Sequence, residues 1–154
     1  MERQYTLRMV ESFNHFTKNM ITNVFQLEIW KDAHALVLKV YKHSENFPNT
    51  EQFILTSQFK RAAISIAANI AEGFRKRSLR EKQQFLYISL ASLEECKYYC
   101  ILAYDLGYTN NNEMYEDFDR LAKRIYAFIK GMEKNHKRQK FKPPCIMKTE
   151  NQHH

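Results

Sequence analysis

The segment 58–73, QFKRAAISIAANIAEG, constrains the fold more than any other part of the sequence. At about 100° per residue, one side of a helix through this segment collects apolar residues. These are Leu55, Phe59, Ala62, Ile66 and Ile70. The remaining surface carries mainly alanine, serine and isoleucine, with Lys60 as an exception. A helix with so little polar surface needs neighbours on nearly all sides. We interpret it as the central helix of a bundle that ends at Gly73, and we expect part of its surface to meet another copy of the chain.

A narrow polar line runs beside the apolar side of this helix. It consists of Gln58, Arg61, Ser65, Asn69 and Glu72. Buried polar groups must be paired, and such pairing discriminates between alternative helix packings. We interpret the line as a structural hydrogen-bond network, within or between subunits, and a ligand site is the alternative. The sequence shows no converging base, nucleophile and oxyanion donor, so we assign no catalytic residue and expect a protein that is not an enzyme.

The composition favours one all-α domain. The chain has 154 residues with only three glycines and three prolines, and its apolar residues recur at helical spacing. No apolar run approaches the ~20 residues that are needed to span a bilayer. An odd number of cysteines, three, and no signal-peptide pattern indicate free thiols in a reducing compartment. We therefore expect a cytoplasmic protein without a membrane segment.

The first predicted helix spans residues 27–44 and ends before Phe47-Pro48, because the residue before a proline disfavours helical backbone. Its broad apolar face includes His34, which we interpret as a core histidine rather than a ligand. The second predicted helix follows, and Asn49 and Thr50 are both good N-caps for it.

The third predicted helix opens at Ser78 and Glu81, which have the spacing of a capping box, and stops at Gly107. Its packing face is expected to consist of Phe85, Ile88, Ser89, Ser92, Cys96, Tyr99, Cys100, Ala103 and Leu106, with Leu86 and Leu93 at the margin. Cys96 and Cys100 are interpreted as core thiols, because no further ligand completes a tetrahedral set around them. We expect neither a metal nor a cofactor.

The fourth predicted helix has the most regular apolar repeat in the chain. Its members are Met114, Phe118, Leu121, Ile125, Phe128 and Met132. Acidic residues come early and basic residues late, which suits the helix dipole, and two ion pairs at i,i+4 spacing are expected. These pairs join Glu116 to Arg120 and Asp119 to Lys123. Four helices with short connections predict an antiparallel up-and-down four-helix bundle.

Most of the net charge of +7 lies outside the predicted bundle. Residues 134–154 hold six basic residues and one acidic residue, a net charge of +5. We divide the chain into an N-terminal extension at 1–26, either flexible or forming a short extra helix, a bundle at 27–134, and a disordered basic tail at 135–154. Met20 is a candidate start of translation, in which case residues 1–19 contribute nothing to the fold.

A basic cluster at the turn between the second and third helices is the main candidate functional site. It comprises Arg75, Lys76, Arg77, Arg80 and Lys82, together with Lys60 and Arg61 one helix earlier. The start of the third helix adds N–H groups and a dipole that attract phosphate. Only two aromatic residues, Phe74 and Phe85, are close in sequence, so we expect binding through backbone charge without base stacking. A solvated turn is the alternative interpretation.

Several segments together carry a family resemblance. They are LEIWK at 27–31, Phe47-Pro48 followed by Glu51, the segment 58–73, then Ser78, Glu81, Phe85, Ser89, Ser92 and Glu95, and finally Gly107-Tyr108. With these residues the chain resembles the small four-helix-bundle proteins that are encoded in intervening sequences of bacterial 23S rRNA genes. The resemblance covers about 27–132 and implies a left-handed bundle that assembles into a ring-shaped homopentamer. This family is also similar to the accessory proteins of diversity-generating retroelements, which are basic pentamers that bind nucleic acid and a reverse transcriptase.

Two functional hypotheses follow from the sequence and the resemblance. In the first, a non-enzymatic homo-oligomer binds RNA or DNA through the basic cluster, which a ring of copies repeats into a continuous positive rim. In the second, the oligomer is a scaffold or adaptor for a protein partner such as a reverse transcriptase, and its affinity for nucleic acid is incidental. The salt dependence of nucleic-acid binding separates the two hypotheses.

Overall fold

The computed structural model describes residues 23–140. Its α-helices are α1 (Glu28–Ser44), α2 (Leu55–Arg75), α3 (Leu79–Asp105) and α4 (Glu113–Lys140), with 3-10 helices at Val24–Gln26 and Asn49–Glu51. No strand occurs within this part of the chain. Helices α1 and α3 each pack against α2 and α4, and short connections make successive helices antiparallel. The predicted all-α, antiparallel up-and-down four-helix bundle is confirmed.

Helix α2 has the buried side that its periodicity predicts. Leu55, Phe59, Ala62, Ile66 and Ile70 are all buried. The opposite side of α2 meets no other helix of the described chain, and there the side chain of Ile64 is 44 % exposed. The bundle of one chain therefore leaves a weakly polar strip of this helix in contact with solvent.

The start of α2 differs from the prediction. Asn49 and Thr50 lie in the 3-10 helix Asn49–Glu51 and do not cap α2, which begins at Leu55. The Glu51 carboxylate takes the capping role, because it accepts a hydrogen bond from the backbone N–H of Leu55 at 3.4 Å. It also accepts one from the hydroxyl of Tyr108 at 3.1 Å. Glu51 thus ties the loop after α3 to the start of α2.

Gly73 does not end α2, which continues to Arg75. A Cβ atom at this position would lie 3.0 Å from the Cβ of Phe85 and 3.3 Å from the carbonyl oxygen of Lys82. Glycine is therefore needed for the close approach of α2 and α3 rather than for a helix stop. Gly107 does have the predicted role, since its φ of 74° lies in the left-handed region where α3 ends.

The buried face of α3 is rotated relative to the predicted one. Leu86 and Leu93, which were expected at the margin, are 3 % and 0 % exposed. Ile88 and Leu106, which were expected in the core, are 40 % and 48 % exposed. Apolar residues surround this long helix, so the sequence alone does not reveal which of them face α2 and α4. Cys96 and Cys100 are both buried, as predicted for core thiols.

His34 is not a core histidine. It lies on the exposed side of α1, where its ring stacks on that of Trp30 with the centroids 5.2 Å apart and the planes 5° from parallel. The core side of α1 is formed by Ile29, Ala33, Leu36 and Val40. The prediction was wrong because the apolar face of α1 is wider than the part of it that α2 and α4 cover.

One of the two ion pairs predicted on α4 is present. Lys123 and Asp119 are 2.8 Å apart, as expected. Arg120 does not pair with Glu116 and instead contacts Asp117 at 3.0 Å. Asp117 also accepts a hydrogen bond from Lys39 of α1. Arg120 therefore joins a group of ion pairs that links α4 to α1, in place of the predicted i,i+4 pair.

Helix α4 extends beyond the predicted bundle. It runs to Lys140, so residues 135–140, which were expected to be disordered, are helical. Residues 1–22 and 141–154, which include most of the predicted N-terminal extension and the rest of the predicted tail, lie outside the described residues. No helix between residues 23 and 140 is both long enough and apolar enough to cross a membrane.

Candidate functional site

The turn between α2 and α3 is short and held by a capping box. The backbone N–H of Glu81 donates to the Ser78 Oγ atom at 3.2 Å, and the Glu81 carboxylate accepts from the backbone N–H of Ser78 at 3.4 Å. The Ser78 hydroxyl also donates to the Glu81 carboxylate, and this hydrogen bond, followed by the one from the Ser78 backbone N–H, holds the pKa of Glu81 below its usual value. A carboxylate therefore already occupies the first turn of α3. It reduces the contribution that the helix end was expected to make to phosphate binding, which leaves the side chains as the source of positive charge.

Three arginines at this turn point into solvent. Arg75, Arg77 and Arg80 are exposed, and none of them forms an ion pair with a carboxylate of residues 23–140. A guanidinium group keeps its charge at any physiological pH and can donate two parallel hydrogen bonds to one phosphate. These three side chains are therefore the most available cations of the predicted basic cluster.

The two lysines of the cluster are held against the bundle. The Lys76 ammonium pairs with Glu72 at 2.7 Å and lies 4.9 Å from the ring centroid of Phe85. The hydrogen bond with Glu72 raises the pKa of Lys76. Lys82 donates to the carbonyl oxygen of Phe74 at 3.3 Å. The ammonium groups of both lysines also lie over the aromatic rings next to the turn, Lys76 over Phe85 and Lys82 over Phe74. Phe74 and Phe85 are partly buried, which fits the expectation that these rings do not stack on bases.

Lys60 and Arg61 do not join the turn cluster. They precede Arg75 by 15 and 14 residues on α2, which is about 21 Å or more at 1.5 Å per residue. The Lys60 ammonium lies over the ring of Tyr41, 4.7 Å from its centroid. Arg61 is exposed beside α3. The structure thus divides the sequence-predicted site into a basic turn and two separate charges on the side of the bundle.

The C-terminal part of α4 lies beside the basic turn. A groove of about 640 Å³ separates the two. Arg77, Arg80 and Lys82 form one wall of this groove, while Met132 and His136 belong to the other. Because α2 ends, α3 begins and α4 ends at the same end of the bundle, three helix termini place their charges together there.

The part of this site that α4 supplies was not predicted. Lys134, Lys137 and Arg138 are exposed on a helix. Lys137 and Arg138 had been assigned to a disordered tail, and Lys134 was the last residue of the predicted bundle. A usable signal was present in the sequence, because no proline interrupts the apolar repeat of α4 before Pro143. We call Arg75, Arg77, Arg80, Lys134, Lys137 and Arg138 together the basic end.

The polar line on α2 is only partly connected. The Ser65 Oγ atom accepts hydrogen bonds from the Asn69 amide at 3.0 Å and from the Ser92 hydroxyl at 2.8 Å. Gln58 and Arg61 are exposed away from this group. Glu72 pairs with Lys76, as described above, rather than with the serines. The connected part crosses from α2 to α3 and contains no group that would serve as a base, which suits a role in helix register.

Two further features carry no binding chemistry. A groove of about 310 Å³ between α1 and α4 is lined by charged residues, but Lys39 pairs with Asp117 and Arg124 with Asp32 across it. Arg120, the third basic residue of the groove, shares Asp117 with Lys39, so every charged side chain that lines the groove is in an ion pair. Within residues 23–140, no group of three or more histidine, cysteine, aspartate or glutamate side chains is placed to hold a metal ion.

Comparisons with known proteins place the chain in a family. Among solved structures, a protein of unknown function from the S23 ribosomal protein family of Bacteroides thetaiotaomicron has a similar fold, with a TM-score of 0.61 and 20 % identity. The similarity covers 66 % of this chain and 95 % of that chain. No individually curated protein matches the sequence. The family model described as 23S rRNA-intervening sequence protein matches residues 25–131, which is more than half of the chain. The chain therefore belongs to the family of 23S rRNA-intervening sequence proteins.

Proposed function

We propose that this protein is a non-enzymatic oligomer that binds nucleic acid through its basic end. One observation carries the proposal. Arg75, Arg77 and Arg80 are exposed beside the helical extension of α4, and no carboxylate of residues 23–140 neutralises them. Cations that form internal ion pairs are partly satisfied, whereas these three guanidinium groups remain free to contact an external anion.

The interaction should be directed at the phosphate backbone. Arginine binds phosphate oxygens through paired hydrogen bonds, and such contacts position a protein without reading base sequence. The helix end of α3 already holds the Glu81 carboxylate, so the guanidinium groups supply the attraction. Binding should weaken steeply as salt is added, because each phosphate contact releases condensed counterions.

We further propose that copies of the chain assemble through the outer side of α2. Ile64 and Ala68 are exposed there, on the helix whose sequence is least suited to contact with solvent. The family resemblance implies a homopentamer. Each copy contributes its own basic end, so an assembly binds one nucleic acid at several points and gains affinity that a single chain lacks.

A salt titration with charge-matched variants tests the proposal. Fluorescence anisotropy would measure the affinity of the full chain for a labelled structured RNA and for a labelled DNA duplex from low to physiological ionic strength. In the test variant, Arg75, Arg77 and Arg80 are changed to serine. We expect binding to be nearly abolished at physiological salt, and any residual binding should have a salt slope smaller by about 2 to 3, since each lost contact contributes about 0.7–0.9.

The control variant removes the same charge elsewhere. In it, Lys42, Arg120 and Lys123 are changed to serine; all three residues are exposed and lie away from the basic end. This control should bind almost as well as the unaltered protein, and light scattering should give the same particle mass for both variants. Equal affinity of the test variant and the unaltered protein would rule out the basic end. That outcome would favour the alternative of a scaffold for a protein partner.

A further inference from the structure

Two exposed tyrosines flank the outer side of the seam between α3 and α4. The side chains of Tyr87 on α3 and Tyr126 on α4 are 48 % and 51 % exposed. Neither ring is in contact with another aromatic ring of residues 23–140. Each ring therefore has a face that is open to solvent. Local sequence does not connect the two residues, because 38 residues separate them in the chain.

The register of α3 and α4 places the two tyrosines at nearly the same height. Gln83 donates to Glu133 at 2.9 Å and Lys97 to Asp119 at 3.2 Å, and each pair fixes the same antiparallel alignment. In this alignment Tyr126 lies opposite residue 90, three residues from Tyr87. The two side chains are therefore separated by about 4.5 Å along the bundle axis at 1.5 Å per residue.

A row of lysines leads from this tyrosine pair to the basic end. Lys130 and Lys134 follow Tyr126 at successive intervals of four residues and share its side of α4. The side chain of Lys130 is 73 % exposed, and its charge interacts with Tyr87 across the seam. Lys130 also pairs with Glu133 at 3.1 Å, but an exposed pair of this kind contributes little and exchanges readily for a phosphate.

We propose that single-stranded nucleic acid is the preferred ligand of this surface, with bases stacked on Tyr87 and Tyr126. The phosphates of the same strand would follow Lys130 and Lys134 to the groove beside Arg80. Arg80 lies seven residues before Tyr87 on α3, about 10 Å along the axis, so a strand of a few nucleotides connects the two points. This inference rests on the proposed function, because the basic end supplies most of the attraction.

Stacking explains why a single strand is preferred over a duplex. Each unpaired base offers a free face to an aromatic ring, and such contacts add affinity for any sequence. In a duplex the bases are stacked on one another and only the phosphates remain accessible from outside. The tyrosines should therefore matter for single strands alone, whereas the arginines of the basic end should matter for both ligands.

The test compares two ligands and five variants of the full chain. Fluorescence anisotropy at one low salt concentration would measure the affinity for a labelled thymidine homo-oligonucleotide and for a labelled duplex of the same length. Tyr87→Ala and Tyr126→Ala should each weaken single-strand binding about tenfold and leave duplex binding unchanged. Tyr87→Phe should bind like the unaltered protein, because it retains the ring. Tyr98→Ala and Tyr104→Ala serve as matched controls, since both residues are on α3, are 57 % and 48 % exposed, and lie farther from the basic end.

The outcomes separate this inference from the proposed function. If both alanine variants bind the single strand as the unaltered protein does, while the variant with Arg75, Arg77 and Arg80 changed to serine does not bind, the tyrosine inference is overturned and the proposed function stands. If that arginine variant also binds normally, both are overturned. Stacking is also refuted if Tyr87→Ala or Tyr126→Ala changes the particle mass in light scattering, because the rings then contact protein. The same conclusion follows if either variant weakens the binding of the single strand and of the duplex equally.

Discussion

Replacing Gly73 with alanine tests the close approach of α2 and α3, on which the position of the basic turn depends. The added Cβ atom would lie 3.0 Å from the Cβ of Phe85 and 3.3 Å from the carbonyl oxygen of Lys82. Neither neighbouring atom can move by a change of rotamer, because both positions are set by the backbone of α3. The helix itself has to shift.

Two opposing effects determine the size of the change. Alanine stabilises a helix interior by about 0.8–1 kcal/mol relative to glycine. Both distances are shorter than nearly all real Cβ contacts, so α3 must move by a few tenths of an ångström. Overpacking of this kind destabilises by about 1–3 kcal/mol. Because the atoms that must give way are fixed by the backbone of α3, we expect the packing effect to exceed the gain in helix propensity. Gly73→Ala should then lower the free energy of unfolding by about 1 kcal/mol, which corresponds to a decrease in Tm of about 4 °C.

The chain supplies a matched control in Gly131. This residue is exposed within α4, and nothing lies within 4 Å of the Cβ atom that alanine would add. Gly131→Ala should raise the free energy of unfolding by about 0.5–1 kcal/mol through helix propensity alone. Urea unfolding followed by circular dichroism would compare the two variants at one protein concentration, because the proposed assembly would make stability concentration-dependent. Equal stabilisation by both substitutions would refute the packing argument.

Three further predictions concern single side chains. Ser78→Ala removes the capping box of α3 and should lower the free energy of unfolding by about 1 kcal/mol in urea titrations. Ser78→Thr keeps a hydroxyl group at the cap and should retain most of this stability. Burial lowers the pKa of His43 below its usual 6.5, and the charge of Lys39 lowers it further. The unfolded chain then binds more protons than the folded one, so stability should fall as the pH decreases below about 6.5, and His43→Gln should reduce this slope in pH-dependent unfolding experiments. Burial raises the pKa of the Cys100 thiol to about 12 and raises that of Cys96 as well. In a variant whose third cysteine is serine, a thiol reagent at mildly alkaline pH should therefore label the folded protein slowly and the urea-unfolded protein fully.

Each of these three predictions has a result that contradicts it. Unchanged stability of Ser78→Ala would mean that the capping hydrogen bonds do not hold the turn. A pH slope that is the same with and without His43 would show that this ring titrates as freely as in the unfolded chain. Rapid labelling of the folded protein would show that the two thiols are accessible, and that the α3 core opens often.

The sequence predicts the fold well where a helix is covered on one definite side. On α2 the large apolar residues repeat mainly along one side of the helix, and Phe59, Ile66 and Ile70 are all buried as expected. Helix α3 is different, because Leu86 and Ile88 are equally apolar while only the contact with α2 and α4 decides which of them is buried. Periodicity gives the spacing of a buried face, and the neighbouring helices give its direction.

The candidate site could be predicted only in part. The exposed arginines at the α2–α3 turn are adjacent in sequence, so a local charge count finds them. The groove with α4 and the pairing of Tyr87 with Tyr126 join residues that are distant in the chain, and their proximity depends on the antiparallel register. Gly73 shows the same limit, because a glycine near the end of a helix suggests a stop, and only the distance to Phe85 shows that it is required for packing.

An even number of antiparallel helices has a practical consequence for any binding measurement. The described chain enters at residue 23 before α1 and leaves at residue 140 after α4, so both connections lie at the same end of the bundle as the basic turn. A purification tag fused directly to residue 23 or to residue 140 would crowd the surface under test and add charges of its own. A circular permutant opened in the loop at Gly107 would move a tag to the opposite end, some 40 Å away for a helix of this length.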